Sequence, residues 1–447
     1  MPEPILAQLL GVLEAFRFSM TRPSFAKLLV LATGWILTPG TRAVTAALVA
    51  TRVAGRKHHE AFHRFFSRGS WDPDSLGYAL FLRLEKFVGV DAFRIAIDDT
   101  LALHKGPLVF GLGSHIDPVR STRLMRIFCF GHCWVVLSLL LRVPFSQRTW
   151  ALPLLFRLYR NLKECEKNRA PYKRKTDLAR EMIDVFCRWT GGRRVEVAAD
   201  SAYCNDTVTR GLPDSVVLFG SMRPDAVLTA LPELQRPRSG RPSKRGRPLP
   251  KPESFADDGR RPWREIEARV YGRVRTIRYK TYDAQWYRAC GTRLVRIVIV
   301  ATTTGMLPFR VFFCTDATLD VATILETYAG RWAIEVFFRE AKQLLGFADS
   351  SARKARAVLR VAPFVGLLYS TLILWFLEGA HASPLAKPPL RPWYPNKQSV
   401  TFEDILRTAR FALARFDVLV PSPYINNLSK LDPPSRKQLP PRRRQAA

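Results

Sequence analysis

The stretch from Ile127 to Leu141 constrains this chain most. It holds fifteen consecutive residues without a formal charge, rich in aromatic and β-branched side chains. A bilayer crossing takes about 20 helical residues, so the run is short for a membrane span. An apolar stretch of this composition without alternation is expected of strands covered on both faces. Val361 to Leu377 is a second such run, 17 residues long, and contains Pro363, Gly366, Ser370 and Thr371. It too reads as buried core, and no membrane partner is expected.

Upstream, apolar residues recur at helical spacing in four blocks: Ile5 to Phe18, Phe25 to Leu37, Val44 to Val53, and Leu76 to Leu84. Cap-forming residues separate them in Thr21-Arg-Pro23, Thr38-Pro-Gly40 and Asp72-Pro-Asp74. Residues 1–88 are therefore expected to form a helical domain, and its basic connection makes DNA binding its expected role. Its basic connection, Arg52-Val-Ala-Gly-Arg-Lys-His-His59, runs on into His63-Arg64 and suits a helix-turn-helix-like reader. A helical cap or dimerisation piece is the alternative.

The period changes at Val88. Phe93 to Ile97 reads as a strand ending at Asp98-Asp-Thr100, and Arg194 to Ala199 as a strand ending at Asp200. Leu154 to Glu166 and Thr176 to Trp189 read as helices. Strands that end in carboxylates and alternate with helices describe an α/β core, with residues 89–208 as its first part. Residues 209–317 differ: Arg236 to Arg264 is dense in Arg, Pro, Lys and Gly and cannot bury a core. Ala268 to Tyr279, Leu294 to Thr302 and Leu307 to Cys314 then suggest a small antiparallel unit. Residues 318–380 would complete the core, and 381–447 would add a helix near Phe402 to Phe416 and a basic tail ending in Pro440-Pro-Arg-Arg-Arg444.

Charge narrows the partner. Lys and Arg number 70 against 38 Asp and Glu, a net charge of +32 that calls for an anionic polymer, nucleic acid first. Seven scattered cysteines do not make a disulfide framework, which fits a reducing cytoplasm. No charged segment, apolar run and cleavage site open the chain, so export is not expected. Cys129, His132 and Cys133 lie close together, but no second Cys/His pair follows at zinc-like spacing.

The chemistry concentrates between Ile324 and Lys342. At about 100° per residue, Tyr328, Arg331, Glu335 and Lys342 fall within roughly a 60° arc of a helix. A carboxylate flanked by two cations and a phenol can hold a metal while its neighbours grip phosphate. A solvated face with salt bridges is the plainer alternative. Glu340 lies about 140° around from Glu335 and is expected at the surface.

Tyr, two residues, Arg, three residues, Glu, six residues, Lys is similar to the signature of the IS4-like superfamily of bacterial insertion-sequence transposases. Asp98-Asp-Thr-Leu-Ala-Leu-His-Lys-Gly106 resembles the first-aspartate motif of its IS701-like branch, and Asp200-Ser-Ala-Tyr203 the second-aspartate motif. The likeness spans roughly Pro4 to Gly379. It implies a ribonuclease-H-like catalytic core interrupted by a β-rich insertion, with an N-terminal helical domain and a helical C-terminal region. It also implies that Asp98 or Asp99, Asp200 and Glu335 form a catalytic triad holding two Mg²⁺ ions, with Mn²⁺ as a substitute. Side chains alternate along a strand, so one of Asp98 and Asp99 should face Asp200; Asp98 is favoured because it would share its face with Thr100.

The implied function is cut-and-paste DNA transposition: cleavage at the element's ends and joining of 3′-hydroxyls to target DNA. Double-stranded DNA with terminal inverted repeats would be the partner, a homodimer the working form and the bacterial nucleoid its place. Tyr328, Arg331 and Lys342, joined by Arg339, would contact phosphates at the end. Arg245-Gly-Arg-Pro248, preceded by Gly240-Arg-Pro242, is similar to an AT-hook core, which adds Arg245 and Arg247 as DNA contacts. A phosphate-binding linker is the alternative. Trp263 and Trp286 are read as core rather than as partners of a flipped base. A domesticated, catalytically inactive DNA-binding protein is the rival function.

Overall fold

The computed structural model describes residues 3–416 apart from 107, 118–119, 123, 233–242, 303–307, 394, 398 and 415. The segment Gly240-Arg-Pro242 and the basic tail lie outside the described residues. Five helices open the chain: α1 (Glu3–Glu14), α2 (Arg22–Leu37), α3 (Val44–Ala50), α4 (Glu60–Ser67) and α5 (Pro73–Leu84). Proline stands in the first turn of α2 and of α5, and Asp72 caps α5 by accepting the Ser75 amide. α4 is an addition to the expected blocks; Phe62, Phe65 and Phe66 bury its inner face while its basic residues face outward. These helices share one hydrophobic core with the sheet. At Gly77 of α5 an added Cβ would stand 2.1 Å from the Leu154 carbonyl oxygen, so the helix sits directly on a strand backbone.

That sheet begins with β1 (Phe93–Leu103), β2 (Gly113–Ile116), β3 (Phe128–Val143) and β4 (Ser146–Tyr159). After α6 (Leu162–Lys167) and α7 (Lys175–Trp189) come β5 (Val195–Ala199), α8 (Asp206–Thr209) and β6 (Val216–Ser221). β1 runs antiparallel to β3 and parallel to β5, and β5 runs parallel to β6. The parallel pairing of β1 with β5 stops at Ile97 and Ala199, so Asp98 and Asp200 follow at the same end of adjacent strands. β1 continues along β3 to Leu103, which places Asp98 and Asp99 within a strand rather than at its end.

The first apolar run is β3, as its composition requires. Residues 154–159, expected as helix, belong instead to β4, and only α6 remains of that helix. β4 is buried on both faces over most of its length, so its sequence lacks the alternation that marks a strand.

The next elements are β7 (Leu228–Thr229), β8 (Pro248–Leu249), α9 (Pro252–Asp257), β9 (Arg264–Val270), β10 (Arg273–Gln285), α10 (Tyr287–Cys290), β11 (Leu294–Ala301) and β12 (Phe309–Cys314). They are antiparallel as expected, yet they are not a separate sheet. β12 pairs with β6, giving, among the described residues, one sheet of 12 strands in the order β2-β3-β1-β5-β6-β12-β11-β10-β7-β8, with β4 on β3 and β9 on β10.

The last described elements are α11 (Val321–Gly330), α12 (Trp332–Leu345), α13 (Ala355–Leu377) and α14 (Phe402–Leu413). α13 carries the second apolar run, and 94% of its most apolar window is buried inside the protein. α13 covers one face of the sheet, where Gly366 approaches Phe156. α5 and α7 cover the other, where Arg157 pairs with Asp74 and Lys175 with Asp99. The result is the expected mixed α/β architecture. All seven cysteines are free.

Candidate active site

Strand alternation divides the aspartate pair between the two faces of β1. Asp98 faces α12, and its Oδ2 accepts a hydrogen bond from Arg331 Nη1 at 2.6 Å. Arg331 Nη2 donates to Glu335 Oε1 at 2.8 Å. A single guanidinium thus joins two of the three expected carboxylates. Asp99 faces the other way and is fully engaged: Lys175 Nζ and the Tyr203 hydroxyl each donate to it at 2.6 Å, and Cys133 Sγ lies 3.4 Å away. Tyr203 belongs to the turn that begins at Asp200, so Asp99 ties that turn to β1.

Asp200 caps the short turn Ser201–Tyr203 by accepting the Ser201 amide at 2.7 Å. The Ser221 hydroxyl at the end of β6 stands 3.5 Å from the same oxygen. Asp200 also acts electrostatically on both Arg331 and Tyr328, which places it beside the bridge.

The signature segment is not the single helix that its spacing predicts. α11 ends at Gly330 and α12 begins at Trp332, with Arg331 between them at φ −53 and ψ −35. The Arg331 amide donates to the Tyr328 carbonyl at 3.0 Å, a tighter turn than an α-helix makes. Gly330, a weak helix former, marks the junction. Tyr328 therefore comes from α11, while Glu335 and Lys342 come from α12.

Burial pushes the Asp98 carboxyl up to about 6; Arg331 opposes the rise, while Asp99 and Glu335 add to it. Burial acts to lower the Arg331 pKa, but the charge of Asp98, helped by Tyr328, Glu335 and Asp200, holds it above its ordinary value. Arg331 Nε is buried with no hydrogen-bond partner among the described residues. Burial likewise raises the Tyr328 phenol, whose ring lies 4.7 Å from that of Phe312. Lys342 stands apart from this cluster; burial lowers its pKa, and the charge of Asp117 only partly offsets that shift. Arg339 is exposed on α12.

The DDE superfamily endonuclease family matches residues 15–290 of the sequence, well over half of its length. The chain belongs to that family. The matched segment contains Asp98, Asp99 and Asp200 and ends before Glu335. No curated protein matches the sequence. Among solved structures, the chain is similar to a piggyBac transposase in a synaptic complex with hairpin DNA, with 9% sequence identity and a TM-score of 0.43 over 100% of this chain and 84% of that one.

DDE superfamily endonucleases generally use divalent metal ions. Asp98, Asp200 and Glu335 supply hard oxygen donors, the chemistry that Mg²⁺ takes, and Arg331 already holds two of them around one cation. By donor type these residues fit such an ion. Among the described residues, however, no three His, Cys, Asp or Glu groups are drawn close enough to hold a metal. A planar guanidinium spaces Asp98 and Glu335 where a small ion would draw them together.

Other expectations resolve differently. Glu340 is buried rather than at the surface: Arg148 Nη2 donates to it at 2.8 Å and the Tyr369 hydroxyl at 2.6 Å. It lies on the side of α12 that packs against α13, which an angular position on a helix does not reveal. Arg245 and Arg247 are exposed in the DDE endonuclease chain, with the Arg245 guanidinium 4.1 Å from the Tyr287 ring centre. Trp263 and Trp286 both pack against the core, Trp286 edge-on to Phe313 at 5.1 Å. Lys175, Cys133 and Ser221 carry no sequence signal of a role here, because only the tertiary fold brings them to the aspartates.

Proposed function

We propose that the chain is a DNA transposase of the IS4 superfamily, IS701-like branch, acting by cut-and-paste. The bridge from Asp98 through Arg331 to Glu335, with Asp200 alongside, carries this reading. In it, Asp98, Asp200 and Glu335 would hold two Mg²⁺ ions, for which Mn²⁺ could substitute. Ions bound there would polarise a scissile phosphodiester and help ionise the attacking water or 3′-hydroxyl.

The chain's own residues then have distinct tasks. Arg331, once released from the carboxylates, meets phosphate oxygens with its planar fork. Tyr328, Lys342 and Arg339 fix the backbone of the transposon end, and Arg245 and Arg247 add contacts from the insertion. Asp99 stays on the far face as an anchor. The working assembly is a homodimer on paired terminal inverted repeats, within the bacterial cytoplasm.

The test is incubation of the purified protein with DNA carrying the element's own ends. Cleavage and strand transfer that need Mg²⁺ and stop with a chelator are expected. Ordinary DNA binding without any metal-dependent cleavage would favour the inactive, domesticated alternative.

A further inference from the structure

The face of the sheet that bears Asp98 continues beyond the helices that cover it. Asp98, Thr100 and Ala102 pair with Val136, Trp134 and His132 of β3, so these six side chains share one face. The next residues of β3 on that face are Phe130 and Phe128, and across from Phe128 stands Ile116 of β2. Trp134 and His132 are buried, but Phe130 is 63% exposed, Phe128 62% and Ile116 46%. Two aromatic rings about 7 Å apart along a strand thus lie open to solvent. Phe130 lies about 20 Å along the strand from the Asp98 level.

Cations border this strip. The His104 amide bonds to the Phe130 carbonyl, and the exposed Lys105 follows directly after this backbone pairing. Arg353 acts electrostatically on His104, and Asp117, the residue that follows β2, acts electrostatically on Lys342. Arg126, also exposed, precedes Phe128 by two residues. The local acid, Asp117, is buried and pairs with Arg120 at 3.7 Å.

Exposed aromatic rings on a sheet, framed by cations, suit unpaired nucleotides: bases stack on the rings and phosphates follow the positive rim. Duplex DNA hides its base faces and cannot use such rings. A second copy of this chain, itself carrying +32, would bring like charge to a basic rim. We propose that Phe128 and Phe130, flanked by Ile116, form a stacking platform for single-stranded DNA on the same face as Asp98. The inference rests on the transposase reading, since it takes the stacked strand to be continuous with the one processed at Asp98.

The experiment measures fluorescence anisotropy of the full chain with a labelled single-stranded oligonucleotide and with a duplex of equal length. Phe128→Ala/Phe130→Ala should weaken single-strand binding by on the order of tenfold for each ring, with duplex binding within about threefold. Phe128→Leu/Phe130→Leu, which keeps apolar bulk and safeguards folding, should show the same selective loss. Undiminished single-strand binding in both variants overturns the proposal, as does an equal fall for both DNAs. A change confined to sedimentation behaviour or to binding of anionic lipid vesicles overturns it too. Metal-dependent cleavage on duplex ends is scored in parallel: its absence in the unaltered protein counts against the transposase reading, whereas selective strand binding scores the platform alone.

Discussion

The hydroxyl of Tyr203 donates to Asp99 Oδ1 at 2.6 Å, binding the turn that begins at Asp200 to the strand that carries Asp98. Adjacent aspartates therefore do different work. Asp98 faces the bridge, while Asp99 sets the spacing between Asp98 and Asp200. Tyr203 is buried, and burial together with the Asp99 charge keeps its phenol protonated.

Tyr203→Phe leaves Asp99 with one donor fewer and should lower unfolding free energy by about 1–3 kcal/mol. A urea melt measures this loss. DNA cleavage should fall yet persist, because the carboxylates themselves remain. Equal stability in Tyr203→Phe would show that the tether contributes nothing.

On the proposed reading, a divalent ion would compete with Arg331 for the same oxygens of Asp98 and Glu335. Arg331→Gln should therefore bind Mg²⁺ about tenfold more tightly in the absence of DNA, the equivalent of one charge-assisted hydrogen bond. The same variant should cleave poorly, because the phosphate contact proposed for Arg331 is then missing. Isothermal calorimetry separates the two effects, and unchanged or weaker Mg²⁺ binding would contradict the competition.

The Asp98 carboxyl is raised from 3.8 to about 6 in the folded chain. The folded state thus holds a proton there that the unfolded state releases, so this group favours folding below about pH 4. That contribution is lost as pH rises through 6. Relative to Asp98→Asn, the unaltered protein should lose roughly 3 kcal/mol of stability across this window. Parallel urea melts at several pH values check it. Metal binding should show the opposite trend, improving as pH rises through 6 and Asp98 ionises.

Much of this arrangement is legible in the amino-acid sequence. Asp98, Asp200 and Glu335 stand out because each lies in a motif, and alternation along β1 favours Asp98 over Asp99. The helices α2 and α5 carry proline and cap signals that the sequence states directly. β4 carries none, since a strand buried on both faces has no alternating pattern. Glu340 escapes the sequence reading because a helix angle locates a residue only relative to its neighbours, not to α13. The direction of Arg331 is equally hidden: its spacing suits phosphate contact, whereas the fold turns it inward onto two carboxylates. The union of β6 with β12 needs long-range pairing that local composition does not encode.

Glu340 supplies a check on the packing itself. Replacing it with alanine leaves Arg148 and Tyr369 without their buried partner and should cost about 3–5 kcal/mol. A surface glutamate would cost almost nothing, so the melting transition of Glu340→Ala distinguishes the two.

The most direct measurement compares Mg²⁺-dependent cleavage of native-end DNA by the unaltered chain, Asp98→Asn, Asp200→Asn and Glu335→Gln at matched folded concentration. Each substitution should lower the rate by about 10⁴-fold or more while DNA binding stays intact. Cleavage at the unaltered rate in any one of the three would contradict the assignment of that carboxylate to the reaction.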